Sequence, residues 1–108
     1  MFETIDEITI NYEEDGKLLT KELEKNILTR GGWTTIMFLY QEMDRASSTY
    51  KAPKVSIRRY QKRGGSFRQQ SKFTISNKGQ AEKICETLKI WYAKIPDQQS
   101  ENDAEEKD

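Results

Sequence analysis

The 108-residue chain has no histidine and a single cysteine, Cys85. Losing histidine removes the usual general base at neutral pH, the usual proton shuttle and the commonest metal ligand. A lone cysteine excludes an intramolecular disulfide and any zinc cluster of the paired-cysteine kind. No stretch approaches the run of about 18 apolar residues that a membrane span needs. The opening MFETIDEITI also lacks the basic region and apolar run of a signal peptide. These absences point to a soluble, cytoplasmic protein, nucleoid-associated if the source is bacterial. The acids in the middle of the chain (Glu22, Glu24, Glu42, Asp44, Glu82, Glu86) form no paired or magnesium-binding arrangement. The chain is therefore expected to be no enzyme, with no cofactor, no metal and no small-molecule substrate.

What is present is charge, and it is sorted. The formal net charge is zero, yet residues 1–16 hold six acids and no base. Residues 96–108 hold six acids against Lys107, which leaves 17 bases and six acids between residues 17 and 95, a net of +11. From Arg45 to Lys72 there are nine bases and no acid. A scattered charge set is usually just a solvated surface, but an acid-free run with aromatics interleaved points to a polyanion, whose condensed counterions are released on binding. The chain divides accordingly into an acidic N-terminal segment (1–16), a basic domain (17–95) and a polar, acidic tail (96–108) that reads as disordered. The length suits one domain.

Residues 5–12 partly alternate and precede Asp15-Gly16, a tight-turn signal, so the N-terminus reads as the start of a hairpin. Residues 17–30 mix helix-favouring and strand-favouring residues. Ile27, Leu28 and Thr29 leading into Gly31-Gly32 decide for a strand. Residues 33–43, WTTIMFLYQEM, are apolar on both parities, as in a central strand with two covered faces or with one face turned to a partner. Residues 45–53 read as a loop ending at Pro53. Near Asn77, a good helix cap, begins an amphipathic helix carrying Ala81, Ile84, Cys85, Leu88, Trp91, Tyr92 and Ile95, stopped by Pro96. Cys85 is expected as a small core residue. Trp91 and Tyr92 are expected to pack in the core or in a dimer interface.

KVSIRRYQKR and FRQQSKFTIS flank Gly64-Gly65 and read as two strands of a hairpin. A two-residue or four-residue loop sets Ile57 against Lys72 and Val55 against Thr74, which mixes core and polar residues on one face. A three-residue loop, Gly64 to Ser66, sets Ile57 against Phe73 and Val55 against Ile75, which segregates them. That register collects Ser56, Arg58, Tyr60, Lys62, Arg68, Gln70, Lys72 and Thr74 on the other face, with Arg58 across from Lys72. Like charges across a ladder repel, so such a face implies either abundant solvent or a polyanion that relieves the repulsion, and the polyanion is the favoured reading.

Several strands, a basic aromatic hairpin and one closing helix make an order that resembles the positive-cofactor-four family of transcriptional coactivators and its small bacterial relatives. The residues carrying the resemblance are Gly32-Trp33-Thr34, Pro53-Lys54-Val55-Ser56-Ile57-Arg58-Arg59-Tyr60 and Phe73-Thr74-Ile75-Ser76-Asn77, within a stretch from about Leu23 to Ile95. Phe73 stands where family members often carry glycine, and the N-terminal hairpin is additional. The resemblance implies an α+β fold, a curved antiparallel sheet of four to five strands followed by one amphipathic helix. It also implies a homodimer that binds single-stranded DNA, with RNA as a second ligand, in transcription or DNA maintenance. Expected phosphate contacts are Arg58, Lys62, Arg68 and Lys72, with Gln70 as a hydrogen-bonding partner and Tyr60, Phe38 and Tyr40 as stacking platforms. The alternative is a protein-interaction module whose basic face takes an acidic protein segment.

Overall fold

The computed structural model describes residues 2–97. The acidic tail expected over 96–108 thus lies, beyond residue 97, outside the described residues. The chain is α+β. Six strands, β1 (Tyr12–Glu14), β2 (Lys17–Thr29), β3 (Trp33–Asp44), β4 (Thr49–Tyr50), β5 (Lys54–Arg63) and β6 (Ser66–Ile75), precede one helix, α1 (Lys78–Lys94). Every pairing is antiparallel in the order β1-β2-β3-β5-β6, with β4 added to the end of β3, and the sheet curls into a half-barrel.

Residues 8–10 are not a strand. Ile5–Glu7 forms a short 3-10 turn behind Thr4, and the hairpin with β2 begins only at Tyr12. Its turn uses Asp15 and Gly16, both at positive φ (52° and 79°), the geometry that Asp-Gly tolerates. Residues 2–10 instead cross the inner face of the curl. Ile8 and Ile10 are buried there against Ile36, Phe38, Tyr40, Tyr60 and Phe67, with Phe2, Ile5 and Ile27 packed around them. Alternation along β3 sends Thr34, Ile36, Phe38 and Tyr40 inward, while Thr35, Met37, Leu39 and Gln41 line a half-buried outer face. The apolar content on both parities thus has one closed face and one open one. Each isoleucine removed from water contributes about 1.5–3 kcal/mol.

The β5–β6 hairpin corrects the expected three-residue loop. Arg63 pairs with Ser66, so the loop is Gly64-Gly65, with φ of 58° and 83° as a two-residue primed turn demands. A bulge between Arg59 and Tyr60 leaves Gln70 as the extra residue of β6. Beyond it the register returns to Ile57 opposite Phe73 and Val55 opposite Ile75. The pairing of apolar residues is as expected, and it is reached by turn plus bulge.

The helix begins as expected. Asn77 Oδ1 accepts from Gln80 N at 2.8 Å, and Gln80 Oε1 accepts from Ser76 N. Its packing corrects the expected core placement of Cys85, Trp91 and Tyr92. The helix has no buried residue and leans chiefly on β6. Cys85 is exposed, and Trp91 and Tyr92 are 58% and 64% exposed. The physical reason is that residues 2–10 fill the layer that a covering helix would otherwise occupy. Ile36→Ala should lower unfolding stability by about 2–5 kcal/mol. Leu28→Ala, at an exposed bulge residue of β2, should change it by no more than about 0.5 kcal/mol in urea titrations.

Candidate nucleic-acid interface

The turn and bulge decide which cations of the hairpin share a face. Lys54, Ser56, Arg58, Tyr60 and Lys62 of β5 point inward, opposite Thr74, Lys72, Gln69 and Phe67 of β6. Arg58 faces Lys72 as the sequence predicts. Tyr60 faces Gln69 rather than Gln70, which sits in the bulge and donates through Nε2 to the Arg68 carbonyl at 3.2 Å. Arg68 is opposite Gln61 and therefore on the outer face, apart from the set it was assigned to.

The inner cations fall in a strip along the β5–β6 half of the sheet. Arg58 is held flat. Its Nε donates to Ser56 Oγ at 3.2 Å and its Nη1 to Gln69 Oε1 at 3.1 Å. Lys62 extends over the ring of Phe67, 5.5 Å from its centroid, leaving the ammonium exposed. Lys72 is exposed directly across from Arg58. Among the described residues, the salt bridges are Arg30–Asp6, Arg45–Glu14 and Lys54–Glu42, so no carboxylate lies within ion-pair distance of Arg58, Lys62 or Lys72, although the Lys72 charge reaches Glu42. Lys54, at the end of the strip, is paired at 2.9 Å with Glu42. That hydrogen bond holds the carboxyl below its usual range.

The three aromatic residues assigned to stacking lie elsewhere. Phe38, Tyr40 and Tyr60 are brought together on the inner face, but beneath residues 2–10 and out of contact with solvent. Their aromatic character fits stacking and their burial fits core packing. Burial also raises the Tyr60 phenol above its ordinary value, against the opposing pull of the neighbouring Arg58 charge.

Three participants were not foreseen from sequence. Gln69 positions Arg58. Phe67 supplies a further inner aromatic and carries Lys62. Lys25, opposite Phe38, donates from Nζ to the carbonyls of Ile5, Asp6 and Ile8 at 3.1, 3.2 and 2.6 Å. Gly-Gly read as a two-residue primed turn would have put Phe67 and Gln69 on the inner face. Nothing in the sequence marks the role of Lys25. On the outer face, Arg59 stacks over Trp33 at 4.3 Å, next to Gln61, which accepts from Arg63 Nε at 2.9 Å.

Among the described residues no three His, Cys, Asp or Glu side chains gather to hold a metal ion, and no helix is long and apolar enough to cross a membrane. No family model, curated protein or solved structure matches the chain.

The raised Tyr60 value fixes the sign of an alkaline effect. The folded state holds the phenolic proton more tightly than the unfolded chain, whose value is near 10. The contribution is complete below about pH 10 and is lost as pH rises through the folded value. Tyr60→Phe should therefore lose less stability than the parent chain when urea midpoints are compared between about pH 8 and 11.

Proposed function

We propose that the chain binds single-stranded nucleic acid, DNA first and RNA second, as a non-enzymatic protein of transcription or DNA maintenance. The observation that carries this reading is the strip of Arg58, Lys62 and Lys72, three inward cations with no carboxylate partner and two of them face to face. Like charges opposed across a ladder cost about 0.2–1 kcal/mol, and a phosphate between them turns that repulsion into attraction. The strip runs along the strands, so successive phosphates of an extended backbone meet successive cations. Arg68 and Arg63, on the outer face beside the hairpin tip, extend the positive field to the rim. Stacking is closed off in this arrangement, because Phe38, Tyr40 and Tyr60 are covered.

The same reading takes the chain as a homodimer. Phe73 on the outer face and Leu88, Ile90, Trp91, Tyr92 and Ile95 on or beside the helix are exposed apolar residues, more than a monomer of this size leaves in water without a use. A second copy would bury them and join two basic strips. The competing reading, a module for acidic protein segments, has one observation in its favour: an acidic segment of the chain itself, residues 2–10, already lies on the inner face.

Fluorescence anisotropy with labelled oligo-dT, the matching duplex, an RNA strand and poly-glutamate discriminates these. Single strands should bind more tightly than duplex or poly-glutamate, and Arg58→Ala with Lys72→Ala should weaken them at least tenfold while lowering the salt slope by about two. Equal binding of poly-glutamate would favour the interaction module, and no binding of any strand would end the nucleic-acid reading. In sedimentation, Leu88→Asp with Trp91→Asp should convert a dimer to a monomer.

A further inference from the structure

Residues 2–10 are attached to the sheet in an unusual way. They add no strand to it. One antiparallel bridge joins Phe2 to Phe67, through the Phe67 amide donating to the Phe2 carbonyl at 2.6 Å. The remaining ties between segment and sheet are made by side chains. The Lys25 ammonium takes three backbone carbonyls of the segment, and Glu22 accepts from Thr9 Oγ1 at 2.7 Å and from Ile10 N at 3.3 Å. Asp6 adds a loose ion pair with Arg30 at 3.5 Å, between two exposed side chains. Releasing the segment therefore breaks almost no ladder hydrogen bonds.

What the segment covers is also distinctive. Beneath it lie four aromatic rings, Phe38, Tyr40, Tyr60 and Phe67, bordered by Lys25 on one side and by Arg58, Lys62 and Lys72 on the other. The segment presents apolar side chains to the rings and oxygen atoms to a lysine. A single strand of nucleic acid presents the same pair of groups, base faces for the rings and phosphate oxygens for the ammonium. Its acids Glu3, Asp6 and Glu7 also set negative charge over a basic sheet.

We infer that residues 2–10 are a displaceable strap that occupies a base-stacking site formed by Phe38, Tyr40, Tyr60 and Phe67, and that single-stranded nucleic acid exchanges with it. The inference rests on the nucleic-acid reading above. In the strapped state a strand is held by Arg58, Lys62 and Lys72 alone. Once the strap leaves, Lys25 exchanges carbonyl oxygens for phosphate oxygens, and the rings take bases. The strap thereby sets a threshold: ligands that offer charge without planar bases engage the strip and leave the strap in place.

Hydrogen exchange of the full chain, with and without oligo-dT, tests this directly. The amides of Glu3, Thr4, Glu7, Ile8 and Ile10 are all hydrogen-bonded in the strapped state, so they should be protected in the free protein. On binding they should lose protection while β5 and β6 gain it. Binding that protects β5 and β6 and leaves residues 2–10 unchanged would overturn the strap and spare the nucleic-acid reading. Absence of any protection by oligo-dT would remove both.

A reversible lock gives the magnitude. The bridge between Phe2 and Phe67 has the Cα separation a disulfide accepts, so Phe2→Cys with Phe67→Cys, in a Cys85→Ala background, pins the strap when oxidised. Phe38, Tyr40 and Tyr60 remain as rings in this variant, so the reduced form should bind oligo-dT at least tenfold more tightly than the oxidised form, with polyphosphate binding equal in both. Equal oligo-dT affinity in the two forms would overturn the strap.

Discussion

A curled sheet with one apolar face needs a second layer, and here that layer is nine residues of chain with one 3-10 turn rather than an α-helix. Ile8 and Ile10 seal Ile36 and Phe38 from water, and most other features of the molecule follow from that contact. Because the inner face of β3 is filled, exposed cations on that side are confined to the β5–β6 half. Because the layer is already occupied, α1 is left leaning on β6 with its apolar residues in solvent. The acidic N-terminus is brought onto the sheet, where Asp6 meets Arg30, so charges widely separated in sequence become neighbours.

In the proposed exchange the strap and a nucleic-acid strand would compete on comparable terms. Burying the two isoleucines contributes about 1.5–3 kcal/mol each. Stacking a base on an aromatic side chain contributes about 1–3 kcal/mol. Two or three stacked bases would thus offset the burial of these isoleucines, while the strip's phosphate contacts, made with or without the strap, would leave the exchange unchanged. A much larger apolar strap would shut the rings permanently, and a purely polar one would leave them open.

Much of the fold is legible in the sequence because its signals are local. Asn77 announces the helix start, and its side chain caps the helix as expected. Val55, Ile57, Phe73 and Ile75 announce their own pairing through apolar segregation, and the ladder agrees. The bulge was hidden, because a three-residue loop and a two-residue loop with one bulged residue give the same offset beyond it. Gln70 and Arg68 fell on the wrong positions for that reason alone. The helix stripe was legible as amphipathic but not as unpartnered, since periodicity reports an apolar face and is silent on what meets it. The least legible element was the strap. Ile5, Ile8 and Ile10 read as strand alternation, and only their meeting with a surface built from residues 25–67 turns them into a cover.

The bulge that misled the register also has a physical consequence. Strand alternation sends Arg58 and Lys62 inward and Arg59 and Arg63 outward, the two-residue turn sends Arg68 outward, and the bulge brings Lys72 inward, opposite Arg58 instead of Ile57. Had all of them shared one face, repulsion across the ladder would have multiplied, since each opposed like pair is destabilising. Divided, only Arg58 and Lys72 remain opposed, and Arg58 is steadied by Ser56 and Gln69 rather than by a carboxylate. Neutral partners fix the direction of the guanidinium without cancelling its charge, and the residual repulsion is relieved by a ligand that is itself negative. The outer arginines meet a different environment. Arg59 lies on the Trp33 ring and Arg63 on Gln61, so their charge is spread along the rim of the hairpin instead of being concentrated across from another cation. A single extra residue in β6 thus completes a concentrated inner strip of cations, while alternation leaves a diffuse positive rim on the outer face of the same hairpin.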